Sequence, residues 1–335
     1  MKQAVLTAIA HKRGETLPYC VELTSQKRKS LCVMLGIPET GYFDYAGNMI
    51  EKADYITGET IKPGFYRDCF GVVWDRSGLD KDIGIVQGIQ INESNYRSYR
   101  CPEVDEHRVR LITESLLASP RDTLKLGKLS MTLFERAWSL RGLTQLLMDF
   151  HLNPKLVRHL LDQIMIYNTR VLDIALEYDV DGMYFGDDFG TQTGLMFSPD
   201  TWREYFKPCY EAMFRQIKAK GKLIALHSCG DIGRILPDLV DIGLDIYQTV
   251  QPEIYDLPTL KREYGASLCF WGGISTQRLL PFATKVELTD TLRRTIDVMA
   301  KDGGYIASPT HQVPADVSDE NILTLLDVLK KGYDR

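Results

Sequence analysis

The sequence predicts an α/β protein of the (β/α)8, or TIM-barrel, class with an N-terminal elaboration over the barrel mouth. From about residue 125 onward, short apolar runs rich in β-forming residues alternate with amphipathic helical stretches, which is typical of βα units around a parallel sheet. No Gly-x-Gly-x-x-Gly turn follows a predicted strand, so a dinucleotide-binding fold would lack its phosphate-binding loop. A chain of 335 residues suits one such barrel.

The predicted strands are short apolar runs bounded by turn residues. Six of them lie in the C-terminal two thirds of the chain and one lies near the N-terminus, a number close enough to eight to favour a closed barrel over an open sheet. These strands are Tyr19–Leu23, Leu129–Leu133, Gly182–Phe185, Lys222–Leu226, Asp245–Val250, Leu268–Trp271 and Tyr305–Ala307.

The predicted helices follow the strands with amphipathic periodicity. Two of them begin with a capping side chain before a proline at the first helical position, in Asn153-Pro154 and Ser198-Pro199. The helices are Pro154–Tyr178, Pro199–Lys220, Ile232–Ile242, Pro258–Tyr264, Lys285–Lys301 and Asp319–Lys330.

Residues 36–110 differ from the rest, because they carry turn-forming Gly, Asp and Asn and only weak periodicity. We interpret them as the elaboration that packs over the barrel mouth and not as an independent domain. Residues 1–335 are therefore predicted to form a single domain.

The composition excludes several classes of partner. A net charge of −5 without a basic run argues against nucleic acid as the main ligand. No run of eighteen apolar residues is present, so no membrane span is expected. Seven scattered cysteines without an export signal suit a cytoplasmic protein better than a disulfide framework.

Polar residues follow five consecutive predicted strands, at the ends that converge at the mouth of such a barrel. In His227-Ser228-Cys229-Gly230, residues i and i+2 project the same way, and an imidazole with a thiolate is a donor pair that zinc prefers. The alternative is a buried His hydrogen-bonded to a carbonyl beside an unreactive core Cys. The position at a strand end favours the zinc hypothesis.

His311, just past the last predicted strand, is the candidate for a third ligand, although a loop imidazole there could also cap a helix or face solvent. Three protein ligands would leave a fourth place open, which is typical of catalytic zinc. A thiol that entered this place would lose its proton and become a nucleophile near neutral pH.

Asp187-Asp188 follows another strand, and because successive strand residues face opposite ways, only one of the two is expected in the pocket. We assign Asp188 as the catalytic group and Asp187 as structural, with a loop-capping role as the alternative for Asp188. Further candidates for substrate binding could equally be satisfied buried or supporting polar residues. They are Tyr184, Gln192, Gln248, Gln251 and Glu22.

From about Leu126 to the C-terminus, the pattern resembles the uroporphyrinogen decarboxylase superfamily. The matching stretches lie mostly at strand ends and are highly specific in combination. They are Val180-Asp181-Gly182, Asp187-Asp188-Phe189-Gly190-Thr191-Gln192, Ser198-Pro199, residues 202–208, His227-Ser228-Cys229-Gly230, Gly243-Leu244-Asp245, Gln251-Pro252, residues 271–277 and residues 304–309.

This resemblance implies a (β/α)8 barrel and one of two activities. The decarboxylases hold tetrapyrrole carboxylates with an arginine-rich N-terminal motif, which residues 11–19 do not match, and they lack the His-x-Cys-Gly pair. The sequence is similar instead to the methyltransferase branch, which includes methylcobalamin:coenzyme M methyltransferases and O-demethylase components. Those coenzyme M enzymes have a Pro-Gly-Cys-Gly motif where this chain has Pro309-Thr310-His311-Gln312.

The resemblance implies zinc as a cofactor and a corrinoid, methylcobalamin, carried by a partner protein, with a small methyl donor or acceptor as substrate. The replacement of the family's third Cys by His311 slightly favours a demethylating component over a coenzyme M enzyme. Two alternatives stay open: a metal-independent decarboxylase with Asp188 facing pyrrole nitrogens, and a non-enzymatic corrinoid- or tetrapyrrole-binding protein.

Overall fold

The structure is a computed structural model that describes residues 1–78 and 84–334. The chain divides into two compact units. The first unit comprises Met1–Glu51, Arg121–Leu124 and Asp245–Arg335, and the second comprises Lys52–Pro120 and Lys125–Leu244.

Strands and helices alternate along most of the described chain, as the sequence predicted. The strands are β1 (Ile50–Asp54), β2 (Gly58–Lys62), β3 (Phe65–Asp68), β4 (Val73–Asp75), β5 (Ile85–Gln87), β6 (Leu124–Leu129), β7 (Gly182–Gly186), β8 (Gly190–Thr191), β9 (Gly194–Leu195), β10 (Leu223–His227), β11 (Ile246–Val250), β12 (Cys269–Ile274) and β13 (Tyr305–Pro309). The α-helices are α1 (Lys2–Ile9), α2 (Ser25–Leu35), α3 (Tyr42–Ala46), α4 (Glu106–Leu117), α5 (Phe134–Arg141), α6 (Leu143–Leu152), α7 (Pro154–Ala175), α8 (Pro199–Tyr205), α9 (Lys207–Lys218), α10 (Leu236–Asp241), α11 (Leu257–Tyr264), α12 (Leu279–Phe282), α13 (Lys285–Met299) and α14 (Asp319–Lys331).

In the second unit, β7 lies between β6 and β10, and both pairings are parallel. The two faces of β7 differ because successive side chains of a strand point in opposite directions. Phe185 packs against Tyr210 and Phe214 of α9, with ring centroids 6.2 and 5.7 Å away. Tyr184 points the other way, toward His227 of β10.

In the first unit, β12 pairs in parallel with β11 and with β13. The predicted strand Tyr19–Leu23 appears as two parallel bridges, from Tyr19 to Ala307 and from Leu23 to Val313. This segment therefore extends the parallel arrangement beyond β13 without forming a continuous strand.

The predicted elaboration, residues 36–110, contains an antiparallel sheet of the order β2-β3-β4-β5. Its residues 79–83 lie outside the described part of the chain. The segment also contains β1, and the N–H of Tyr55, directly after β1, donates to the Lys128 carbonyl of β6. Part of the predicted elaboration thus belongs to the βα architecture, while its placement over a barrel mouth stays a prediction.

Some predicted boundaries were wrong. The strand predicted at Leu129–Leu133 is β6, Leu124–Leu129, because the chain turns after Leu129, with Met131 at φ 55°, before α5 begins. The helix predicted at Pro199–Lys220 is divided into α8 and α9, with Pro208 in the first turn of α9. Ser198 caps α8 as predicted, by accepting from the N–H of Thr201, whereas Asn153 makes no side-chain cap.

None of the helices in the described ranges combines the length and the apolar character that a bilayer-spanning segment needs.

Candidate metal site

The loop after β7 is held by Asp187, which is fully buried. Its carboxylate accepts hydrogen bonds from the backbone N–H groups of Leu133, Phe134 and Glu135 at 2.7–3.0 Å and from the Tyr210 hydroxyl at 2.7 Å. Burial raises the pKa of Asp187 to about 6, although these hydrogen bonds oppose the shift. Asp187 therefore joins the β7 loop to the start of α5, in agreement with the structural role assigned to it.

Three potential metal ligands meet where β7 and β10 end. The Cys229 Sγ lies 3.4 Å from the His227 Nε2, and this nitrogen lies 3.4 Å from the Asp188 Oδ1. The ligand atoms of the three residues lie within 4.8 Å of one another. The predicted convergence of His227 and Cys229 is thus present, and the aspartate predicted to enter the pocket adjoins them.

Hydrogen bonds between backbone N–H groups and side chains join the loops after β7 and β10. The N–H of Cys229 donates to Asp188 Oδ1 at 2.8 Å, and the N–H of Phe189 donates to Ser228 Oγ at 3.0 Å. A Cβ on Gly230 would lie 2.2 Å from the carbonyl carbon of Gly190, and Gly230 has φ 82°. Only glycine fits this close backbone approach.

We therefore expect Gly230→Ala to lower the free energy of unfolding by about 2–3 kcal/mol and to weaken metal binding, because the methyl group would push the two loops apart. Urea unfolding and zinc titration measure these effects. Gly221→Ala is the matched control, since Gly221 also has a positive φ of 67° but no atom lies within 4 Å of the place that its new methyl group would take. If the two variants lost the same stability and the same zinc affinity, the close approach of Gly230 to Gly190 would contribute to neither.

The electrostatics of the cluster fit a bound cation. Burial raises the pKa of the Cys229 thiol, and the carboxylates of Asp188 and Glu135 raise it further. Burial likewise raises the pKa of Glu135, and Asp188 and Asp187 add to the shift. Several groups that become negative when they ionise are therefore crowded together, and a divalent cation would stabilise their ionised forms. A thiolate, an imidazole and a carboxylate are all ligands that zinc accepts.

Two predicted substrate-binding residues belong to the same unit as this cluster. Tyr184 is buried in β7, with its ring centroid 6.4 Å from that of His227. Gln192 is exposed between β8 and β9. Tyr184 thus lies beside the candidate site, and the substrate-binding roles of both residues stay predictions.

The other predicted residues lie in the first unit. Gln248 and Gln251 are buried, in β11 and directly after it. Glu22 is half-buried and lines a cleft of about 440 Å³ together with Gln312. His311 is exposed and follows β13 after one intervening residue, Thr310. The metal and substrate roles of these residues stay predictions.

Sequence reasoning missed Glu135, Lys52, Asp54 and Lys128, which all belong to the second unit. Lys128 lies in β6, and Glu135 follows this strand in the sequence. Both were missed because the strand was predicted at Leu129–Leu133 and not at Leu124–Leu129. With β6 ending at Leu129, the rule that polar residues gather after strand ends would have included Glu135. Lys52 and Asp54 were missed because β1 was not recognised as a strand.

The chain is similar in sequence and in fold to known proteins. Residues 130–332 match the family model for uroporphyrinogen decarboxylase (URO-D). The solved structure of a methyltransferase from Methanosarcina mazei is similar with a TM-score of 0.72 at 16% identity, covering 99% of this chain and 98% of that chain. A B12-independent methionine synthase from Shewanella sp. W3-18-1 is similar with a TM-score of 0.47 at 13% identity, covering 96% and 94%. No curated protein matches the sequence. The first of these structures confirms the predicted α/β-barrel fold class.

Proposed function

This chain belongs to the uroporphyrinogen decarboxylase family, and we propose that it is a zinc-dependent methyltransferase that moves a methyl group between a small ether or thiol and a corrinoid protein. The observation that carries the proposal is the convergence of Asp188, His227 and Cys229 at the ends of two parallel strands. The fold shared with a Methanosarcina mazei methyltransferase supports the same reaction class. The family membership also confirms the resemblance that the sequence motifs indicated.

We propose that His227, Cys229 and Asp188 hold the zinc ion. The role of His311 as a metal ligand stays a prediction from the sequence. Sulfur and imidazole nitrogen are the softer donors of this set, and the Asp188 carboxylate is the hardest. We therefore expect Asp188 to be the donor that exchanges most readily for an incoming substrate atom.

When bound, zinc would act as a Lewis acid that lowers the pKa of a thiol or polarises the oxygen of a methyl ether. The chain's own residues would position the reacting atom. The hydrogen bond from the Cys229 N–H to Asp188 holds these two residues together, and the Tyr184 ring lies beside the His227 ring. Methyl transfer from an ether to cobalt(I) of the corrinoid partner would leave an alcohol after protonation. In the opposite direction, a thiolate would take the methyl group from methylcobalt(III). We favour demethylation because His311 replaces the third Cys of the coenzyme M enzymes.

Single-ligand variants separate the proposed donors. We expect Asp188→Ala to weaken zinc binding about tenfold or more, because it removes one bond to the ion. His311→Ala tests the ligand role that the sequence predicts for His311. Competition with a chromophoric chelator measures the affinity, and His151→Ala, which removes an exposed imidazole at the end of α6, is the control. If a variant binds zinc as tightly as the wild type, the substituted residue is not a zinc ligand.

Zinc affinity should rise with pH. Because the pKa of Cys229 is raised, the metal-free protein carries a protonated thiol at neutral pH, and zinc must displace this proton to bind the thiolate. Release of one proton predicts an affinity increase of about tenfold per pH unit from roughly pH 7 to 8. Chelator competition at several pH values tests this, and a flat profile would contradict a thiolate ligand.

Activity itself is tested by supplying zinc-loaded protein with a corrinoid protein and a panel of methyl ethers and thiols. Changes in the cobalt absorption spectrum report methyl transfer. Metal-free protein with full activity would contradict the proposal, and turnover of a porphyrinogen without metal would favour the decarboxylase instead.

A further inference from the structure

We propose that Glu135 is a positioning residue of the metal site, which holds the backbone of Asp188 so that the Asp188 carboxylate faces His227. The inference rests on the proposed function, because it adds to that same site a residue outside the proposed ligand set. It is carried by a series of hydrogen bonds in which Glu135, Asp187 and Asp188 each accept from a backbone N–H of another segment.

Glu135 lies in the first turn of α5, where backbone N–H groups have no partner within the helix. Asp187, in the loop after β7, binds these groups: its carboxylate accepts from the Glu135 N–H at 2.7 Å and from the N–H groups of the two residues before it. In return, the Glu135 carboxyl group accepts from the N–H of Asp188. The start of α5 and the β7 loop are therefore joined by hydrogen bonds that run in both directions.

The same kind of bond joins the β7 loop to the loop after β10. The N–H of Cys229 donates to Asp188 Oδ1 at 2.8 Å, and this oxygen lies 3.4 Å from His227 Nε2. Asp188 is thus held at its backbone by Glu135 and at its side chain by the β10 loop. Glu135 therefore connects the fully buried Asp187 to the proposed ligands.

The exposure of Asp188 gives this support a function. Its side chain is 32% exposed, compared with 17% for His227. A carboxylate in contact with water loses rotamer freedom when it binds an ion, and part of this cost is removed if its backbone and one of its oxygens are already fixed. Three acidic groups, Glu135, Asp187 and Asp188, also lie close together here, and the N–H groups that donate to them offset their mutual repulsion.

A double-mutant cycle on zinc affinity tests the inference, with competition by a chromophoric chelator as the measurement. We expect Glu135→Ala to weaken zinc binding about tenfold in the wild-type background and less than about twofold in the Asp188→Ala background. The reason is that Glu135 acts on the ion through Asp188, so its effect disappears together with that carboxylate. Equal losses in the two backgrounds would overturn the inference.

Glu135→Gln separates the hydrogen bond from the charge. The amide oxygen has the same reach as the carboxyl oxygen and can accept from the Asp188 N–H, so we expect a zinc affinity within about threefold of the wild type. If Glu135→Gln bound zinc as weakly as Glu135→Ala, the loss would arise from the charge and not from the hydrogen bond, and the positioning role would be wrong.

Asp181→Ala is the matched control. Asp181 belongs to the same unit and directly precedes β7, and its carboxylate accepts from the N–H of Lys125 in β6 at 2.8 Å. The variant therefore removes the same kind of bond where β6 and β7 begin. We expect it to lower the urea midpoint of unfolding but to keep zinc affinity within about twofold of the wild type. A loss of affinity as large as that of Glu135→Ala would reduce the role of Glu135 to general stability.

Hydrogen exchange of the metal-free protein separates this inference from the proposed function. In Glu135→Ala the Asp188 amide loses its acceptor, so exchange in residues 186–190 should be about tenfold faster than in the wild type and than in Asp181→Ala. Unchanged exchange in Glu135→Ala would overturn the inference whatever the zinc affinities are. If the wild type bound no zinc, or Asp188→Ala bound it equally tightly, the proposed metal site would be wrong, and the exchange rates would still decide whether Glu135 holds the Asp188 backbone.

Discussion

Cys229→Ala is expected to lower zinc affinity by about 100-fold or more, because it removes the only sulfur of the proposed ligand set. The nitrogen and oxygen donors that remain, among them His227 and Asp188, would bind zinc much less tightly than a set that includes a thiolate. Elemental analysis after dialysis against a weak chelator should show substoichiometric zinc. Methyl transfer should fall in parallel with zinc occupancy.

The control for this variant is Cys209→Ala. Cys209 belongs to α9 in the same unit, and its thiol contacts the Tyr205 carbonyl at 3.5 Å, which is ordinary helix geometry. The Cys209→Ala variant should keep full zinc occupancy. If Cys229→Ala also kept full occupancy, the residue would not be a ligand and the proposed site would be wrong.

Asp68→Ala is expected to lower the free energy of unfolding by about 3–5 kcal/mol, because it leaves the buried guanidinium of Arg136 without its counter-charge. The two side chains are 3% and 1% exposed, and Arg136 Nη1 lies 2.6 Å from Asp68 Oδ2. The carboxylate also accepts from the Trp74 Nε1 and from the N–H groups of Phe70 and Val72. The pair therefore joins the antiparallel sheet to α5, which begins at the candidate site.

Chemical denaturation measures this loss, with Asp200→Ala as the control. Asp200 is 91% exposed and pairs with Arg203 at 3.0 Å, so its removal should change stability by less than about 0.5 kcal/mol. The double variant Asp68→Leu with Arg136→Met should be more stable than Asp68→Ala, because no unpaired charge stays buried. A double variant at least as unstable would assign the loss to the hydrogen bonds and not to the charge.

Much of the βα pattern was predictable because it depends on local periodicity. The strands β7, β10, β11, β12 and β13 lie within a few residues of their predicted positions, since each is a short apolar run before polar residues or glycine. The spacing of His227 and Cys229 was equally informative, because residues i and i+2 of an extended segment point the same way.

The neighbours of these residues in space could be identified only from the folded structure. Asp188 joins His227 and Cys229 only because β7 and β10 are neighbours and Gly190 packs against Gly230, and such pairings across 39 or more residues leave no local signal. Lys52 approaches Tyr184 through the pairing of separate strands. Spacing along the chain thus predicted the donor pair, while the carboxylate beside it and the cation near it follow from packing between distant segments.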